Sequence, residues 1–221
     1  VNQIEFNDYT IGDFHFSSFW DQFLNRFDIR GGLLNEDRVE EIKIENCFYY
    51  PSFEKENQLS GTIIFNAFNF DFLNPFLPNE IISELDGELS GNVALTGNWM
   101  EPNFNGSLNL NNGNIKMTEF NTSFSLYGPI DIKPDHIEII NATLKDQLNT
   151  KGQFSAFYDH DNFLDYSFNV ITKFDEPLMI MNNNYEDNPL YYGDAYVTGF
   201  TTISYDSLNL LSIDVNVQTE E

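Results

Sequence analysis

The chain has 221 residues, with 10 Lys+Arg against 35 Asp+Glu, a formal net charge of −25. So few cations argue against nucleic acid and against an anionic bilayer surface, both of which are bound through Lys and Arg; the acidity instead keeps a β-rich surface soluble and discourages edge-to-edge pairing. Aromatic residues make up 16% of the chain, too many for a disordered polymer, and the single cysteine, Cys47, excludes an internal disulfide and a cysteine-based zinc site.

No run of about 18 apolar residues is present, so nothing spans a membrane as a helix, and no signal peptide is visible. The chain opens and closes on patterned segments, which reads as a piece of a longer protein whose membrane anchor would lie elsewhere. In chain order, Phe16, Phe19, Trp20, Phe23, Leu24 and Phe27 are spaced as one face of an α-helix. Ser18 with Asp21 fits a capping box and Gly31-Gly32 a stop, so the spacing predicts a short amphipathic helix packed on a sheet. Ile42 to Tyr50 reads as a strand that buries Cys47 as a structural thiol. A second apolar block, Phe70 to Leu85, is broken by Pro75 and Pro78, which allows only short helical turns. It echoes the first block at an offset of 53: Phe19, Phe23 and Leu24 align with Phe72, Phe76 and Leu77. That suggests one unit of strand, helical plug and strands used twice.

The stretch Gly87 to Gly113 is the most informative. Val93 and Leu95, then Leu108 and Leu110, alternate with polar residues between Gly, Asn and Pro, the mark of short strands with one apolar and one wet face. Beyond it the strands expected are 89–96, 104–111, 113–118, 120–127, 129–133, 136–141, 143–146, 149–158, 163–173, 177–182, 195–204 and 207–217. Turns are expected at Gly97-Asn98, Asn112-Gly113, Gly128-Pro129, Lys133-Pro134 and Asp159-His160-Asp161, with a longer loop over 182–189. Short sequential strands with tight turns mean an antiparallel meander with one buried face.

From about Phe70 to Glu221 the order of fragments resembles the C-terminal conserved domain of the TamB family, the AsmA-like proteins of the translocation and assembly module. The fragments are Leu73-Asn-Pro-Phe-Leu77, Leu85-Asp-Gly-Glu-Leu-Ser-Gly91, Leu95-Thr-Gly97, Pro102, Asn105-Gly106, Leu108-x-Leu110-x-Asn112-Gly113, Phe120-Asn-Thr122 before Tyr127, Leu144-Lys-Asp146 before Lys151-Gly152, and Tyr192-Gly193 before Gly199. Residues 1–69 are similar as a preceding β/helix unit of the same trough, with 70–221 as the C-terminal-like domain. The resemblance implies a mostly β fold: a long antiparallel meander folded lengthwise into an open trough with an apolar interior, plus one or two short helices. It also implies a periplasmic segment of a longer protein, anchored in the inner membrane and reaching the outer membrane. The implied partners are phospholipid acyl chains and an outer-membrane barrel of the Omp85 class, with the protein serving phospholipid transport and outer-membrane protein assembly. The strong acidity and the richness in Asn and Phe depart from the family pattern.

An apolar sheet face must be covered, and two short helical blocks cannot cover so many strands; a lengthwise fold would leave a greasy channel. Groove candidates are Val93, Leu95, Leu108, Leu110, Ile115, Met117, Phe124, Leu126, Ile137, Ile139, Phe154, Phe168, Val170, Ile203, Leu210, Ile213 and Val215, which could equally form a closed core. His15, His136 and His160 are far apart in sequence, and Asp159-His160-Asp161 reads as turn chemistry. No calcium loop, phosphate loop or nucleophile elbow is present, so neither enzyme activity nor a cofactor or metal is expected. Two other readings remain at this level: an assembly scaffold that lends sheet edges to the barrel, and a secreted carbohydrate-binding or adhesion β-sandwich.

Overall fold

A computed structural model describes residues 2–6, 9–51, 58–76, 82–161, 165–186, 188–206 and 210–220. Nearly all of it is strand: β1 (Asn2–Phe6), β2 (Tyr9–Asp21), β3 (Arg26–Leu34), β4 (Glu40–Tyr49), β5 (Leu59–Asn69), β6 (Ile82–Gly97) and β7 (Pro102–Met117). The remainder are β8 (Thr122–Lys133), β9 (His136–Lys145), β10 (Lys151–Asp161), β11 (Asp165–Asn183), β12 (Gly193–Tyr205) and β13 (Leu211–Glu220). Neighbours in sequence are hydrogen-bonded neighbours in one antiparallel meander running from β1 to β13, which is not closed into a barrel. A single 3-10 helix, Asp71–Phe76, stands among the described residues; residues 77–81 of the second expected plug lie outside them.

The helix expected over residues 16–27 is instead the β2–β3 hairpin. Phe14 pairs with Leu33, Phe16 with Gly31, Ser18 with Ile29 and Trp20 with Phe27. Asp21 does not cap a helix: its Oδ1 accepts the N–H groups of Phe23 (2.8 Å) and Leu24 (3.0 Å), and Asn25 takes φ +51° to complete the turn. Phe and Trp are weak helix formers that favour pleated surfaces, so pairing with β3 overrides the helical spacing. Gly31-Gly32 is no stop but mid-strand, where a Cβ on Gly31 would sit 2.7 Å from the His15 carbonyl oxygen. The first aligned aromatic block is therefore a hairpin, whereas the described part of the second, Asp71–Phe76, is a 3-10 helix.

Three expected turns lie inside strands. Asn112-Gly113 is part of β7, Gly128-Pro129 part of β8, and Asp159 to Asp161 the end of β10. At Asn112 (φ +52°) and Asn141 (φ +53°) the backbone visits the left-handed region for one residue and the strand continues. Asn and Asp tolerate that conformation, and in β9 the extra residue is a bulge: Phe154 pairs with Ala142 and Ala156 with Ile139. The Asn141 N–H is held there by Ser155 Oγ at 3.0 Å. β11 likewise joins two expected strands, with a register shift between Phe174 and Leu178.

The chain divides into two compact units. The first comprises Val1–Phe72, Glu88–Asn109 and Asp131–Pro134; the second comprises Leu73–Gly87, Leu110–Ile130 and Asp135–Glu221. In the second unit the buried core is Leu126, Leu144, Phe174, Leu178 and Val197, with Leu110, Ile115, Phe124, Phe154 and Ile180 packed against it. β8 and β11 are not neighbours in the sheet order, yet they meet over this core. Asn182 N donates to the Phe120 carbonyl (2.9 Å), Thr122 Oγ1 to the Ile180 carbonyl (3.3 Å) and Asn183 Nδ2 to the Glu119 carbonyl (2.9 Å). Here the sheet has folded back on itself and sealed its apolar face.

Candidate lipid-binding pocket

In the first unit the same alternation leaves an opening. One face of β2 to β7 presents Phe16, Ile29, Ile44, Cys47, Leu59, Ile63, Leu95 and Phe104, and with Trp99 and Pro102 these line a pocket of about 250 Å³. The registers explain the alignment: Ile44 stands opposite Ile63, Ile63 opposite Val93, and Leu95 opposite Gly61. On a flat sheet β2 and β7 would lie five strand spacings apart, roughly 24 Å. Phe16 and Phe104 nevertheless line one small pocket, so the sheet of this unit curls around it. Glycines permit the curl: Gly61 leaves room for Cys47, whose Cβ would lie 2.9 Å from any Cβ placed there.

The pocket is apolar. Its lining residues are hydrocarbon or aromatic except Cys47, a buried thiol whose pKa is pushed up by desolvation, which lowers its nucleophilicity further. A row of aromatic rings leads to the pocket residue Trp99: Trp20 on Phe27 (4.8 Å between centroids), Phe27 on Tyr49 (6.3 Å) and Tyr49 on Trp99 (6.5 Å).

The seventeen groove candidates are divided between the two units. Val93, Leu95 and Leu108 belong to the first unit; Leu95 lines its pocket while Val93 and Leu108 are buried. Leu110, Ile115, Phe124, Leu126 and Phe154 belong to the sealed core of the second unit. Met117, Ile137 and Ile139 are half-buried on β7 and β9. Phe168, Val170, Ile203, Ile213 and Val215 share one face of β11 to β13, where Val170 pairs with Ile203 and Ile203 with Ile213. That face opens toward β13, with Ile213 60% and Val215 61% exposed. Leu210 sits in the turn ahead of β13, one residue out of step; Leu211 takes the matching position opposite Tyr205.

Sequence reasoning missed Phe16 and Ile29 because they fell in the expected helix, and missed Trp99 because it sits in a turn. A period of two over Phe14, Phe16 and Trp20 was the signal available. Elsewhere, Asp159 and His160 separate on opposite faces of β10. Asp159 bonds His136 Nδ1 at 2.6 Å, and the buried His160 packs its ring 5.4 Å from Tyr158. No group of three or more His, Cys, Asp and Glu able to hold a metal exists among the described residues.

No curated protein and no solved structure matches the chain. The family match differs from the expected one in domain and position, overlapping the stretch beginning at Phe70 only over residues 70–110. Over residues 43–110, which carry β5, β6, most of β4 and the first half of β7, the chain is similar to the family described as TamB, N-terminal domain.

Proposed function

We propose that the first unit holds a lipid acyl chain in its pocket, as one segment of a periplasmic protein that shields phospholipid tails between the inner and outer membranes. The observation that carries this reading is a pocket of about 250 Å³ lined by carbon, with eight of its ten lining residues inside the stretch similar to the TamB N-terminal domain. A methylene is close in size to a water molecule, about 30 Å³ of liquid, so roughly eight would fit. At about 0.8 kcal/mol each they contribute roughly 6 kcal/mol of transfer free energy. With no hydrogen-bonding group facing the tail, the attraction is non-directional; tails slide while headgroups stay in water. On this reading the whole protein is anchored in the inner membrane and reaches the outer one.

A second reading has its own observation. Among the described residues β13 stands at one end of the sheet order beside β12, and an edge strand of this kind accepts a strand of an Omp85-type barrel by β-augmentation. The two roles are compatible in one protein.

Native mass spectrometry of the purified chain tests the first reading. Phospholipid should be retained, and a photo-crosslinker at Leu95 should attach to its acyl chain. A lipid-free chain that also fails to bind a fluorescent fatty acid would overturn it.

A further inference from the structure

We infer that the turn end of the first unit docks into the surface of an uncharged, zwitterionic phospholipid bilayer, through two apolar hairpin tips beside the pocket. The first tip is the β2–β3 turn, where Phe23 is 90% exposed and Leu24 55%. The second is the β6–β7 turn, with Met100 88% and Trp99 68% exposed. The aromatic row Trp20–Phe27–Tyr49–Trp99 connects them, so they belong to one end of the unit. Isolated apolar side chains on a surface are ordinary; four of them on two tips at one end of the unit, linked by a row of aromatic rings, mark an interaction site.

Three features select a bilayer as the occupant. Bulky side chains that project singly from narrow turns suit insertion among lipid headgroups, where Trp is at home and Phe and Leu reach the acyl boundary. Each tip also satisfies its own amides: Asp21 Oδ1 accepts from Phe23 and Leu24 N–H, and Asn98 Oδ1 accepts from Met100 and Glu101 N–H at 2.8 Å each. Backbone amides that enter a medium without water need such internal partners. Finally, Trp99 belongs both to a tip and to the pocket wall, so a tail leaving the bilayer would meet carbon without crossing water. Neither turn carries Lys or Arg, and the net charge of −25 repels anionic lipid; the partner is therefore zwitterionic.

Trp20 and Trp99 are the only two tryptophans of the chain, and both report on this end. Adding phosphatidylcholine vesicles to the full chain should shift its emission to the blue, and brominated acyl chains should quench it. Phosphatidylglycerol vesicles should do so weakly, and less weakly as salt screens the repulsion. The exposed double change Phe23→Ser with Met100→Ser should weaken phosphatidylcholine binding at least about tenfold at an unchanged melting temperature. That variant should still bind a fatty acid, which separates failure of docking from failure of the pocket. The inference is overturned by an unchanged, unquenched wild-type spectrum or by a variant that binds vesicles like wild type. It is equally overturned by a blue shift that grows with protein concentration without lipid, because a second copy would then cover the tips.

Discussion

Asp146 is a buried carboxylate whose removal has a calculable consequence. It directly follows β9, is 5% exposed, and divides its two oxygens between two tasks. Oδ1 accepts from the N–H groups of Leu148 (2.9 Å) and Thr150 (2.8 Å), which shapes the β9–β10 turn; Oδ2 accepts from Met179 N–H at 2.9 Å, which ties that turn to β11. Asp146→Ala strips all three acceptors. Leu148 is exposed and its amide can turn to water, a loss of about 1 kcal/mol, but Met179 is 5% exposed and its stranded N–H costs roughly 1–3 kcal/mol. With the charge-assisted character of these bonds, the change should destabilise the chain by roughly 3–5 kcal/mol. Asp146→Asn keeps one oxygen but aims an NH₂ donor at the other task, so about half of that loss, roughly 1.5–2.5 kcal/mol, is expected. Urea unfolding followed by circular dichroism would measure both through the midpoint at constant m. Asp175→Asn is the control, because its ion pair with Lys173 is exposed and worth at most about 1 kcal/mol. Loss of less than 1 kcal/mol in Asp146→Ala would refute the assignment of Asp146 as the tie that seals the second unit.

Three further outcomes are expected. Ile63→Trp should fill the pocket without breaking the β5 ladder; if the indole displaces about three methylenes of a bound chain at about 0.8 kcal/mol each, fatty-acid affinity falls roughly 50-fold by fluorescence titration. Gly106→Ala should destabilise by roughly 1–3 kcal/mol in thermal melting, because the new Cβ would collide with the Asn92 carbonyl oxygen and lie 2.7 Å from Val93 Cα. His136 loses solvation on burial, yet the hydrogen bonds its ring N–H groups donate to Asp159 (2.6 Å) and Glu138 (3.1 Å) outweigh that and raise its pKa above 6.5. Its stabilising contribution is therefore full below about pH 6.5 and fades as pH rises through the raised value. His136→Gln should cost more stability at about pH 6 than at about pH 9, and equal costs at both would count against the ion pairs.

The class of fold was legible because period-two alternation is a local property. Val93 with Leu95 and Leu108 with Leu110 needed no knowledge of their partners. The hairpin over residues 9–34 was not legible from spacing alone: Phe16, Phe19, Trp20, Phe23, Leu24 and Phe27 satisfy a helical period as well as most of a strand period. What decided between them was pairing with β3 and β4, which is non-local. The same holds for Asn112. Asn-Gly after an alternating run is a strong turn signal, and here Asn112 takes φ +52° while one long strand continues through it. Leu108 and Leu110 before that residue and Ile115 after it differ in parity; Leu108 is buried, and Leu110 and Ile115 pack against the core of the second unit. Asn46, at φ +49°, produces the same reversal in β4, from Ile44 to Cys47, and so brings both into the pocket. The face a residue occupies was therefore readable from alternation and its interruptions. Whether that face is sealed, as over Leu126 and Leu178, or open, as around Ile63 and Leu95, was not, since it depends on contacts between strands distant in sequence. Phe120 with Asn182 closes the one, while around the other Phe16, Ile63, Leu95 and Phe104 line the pocket of the first unit.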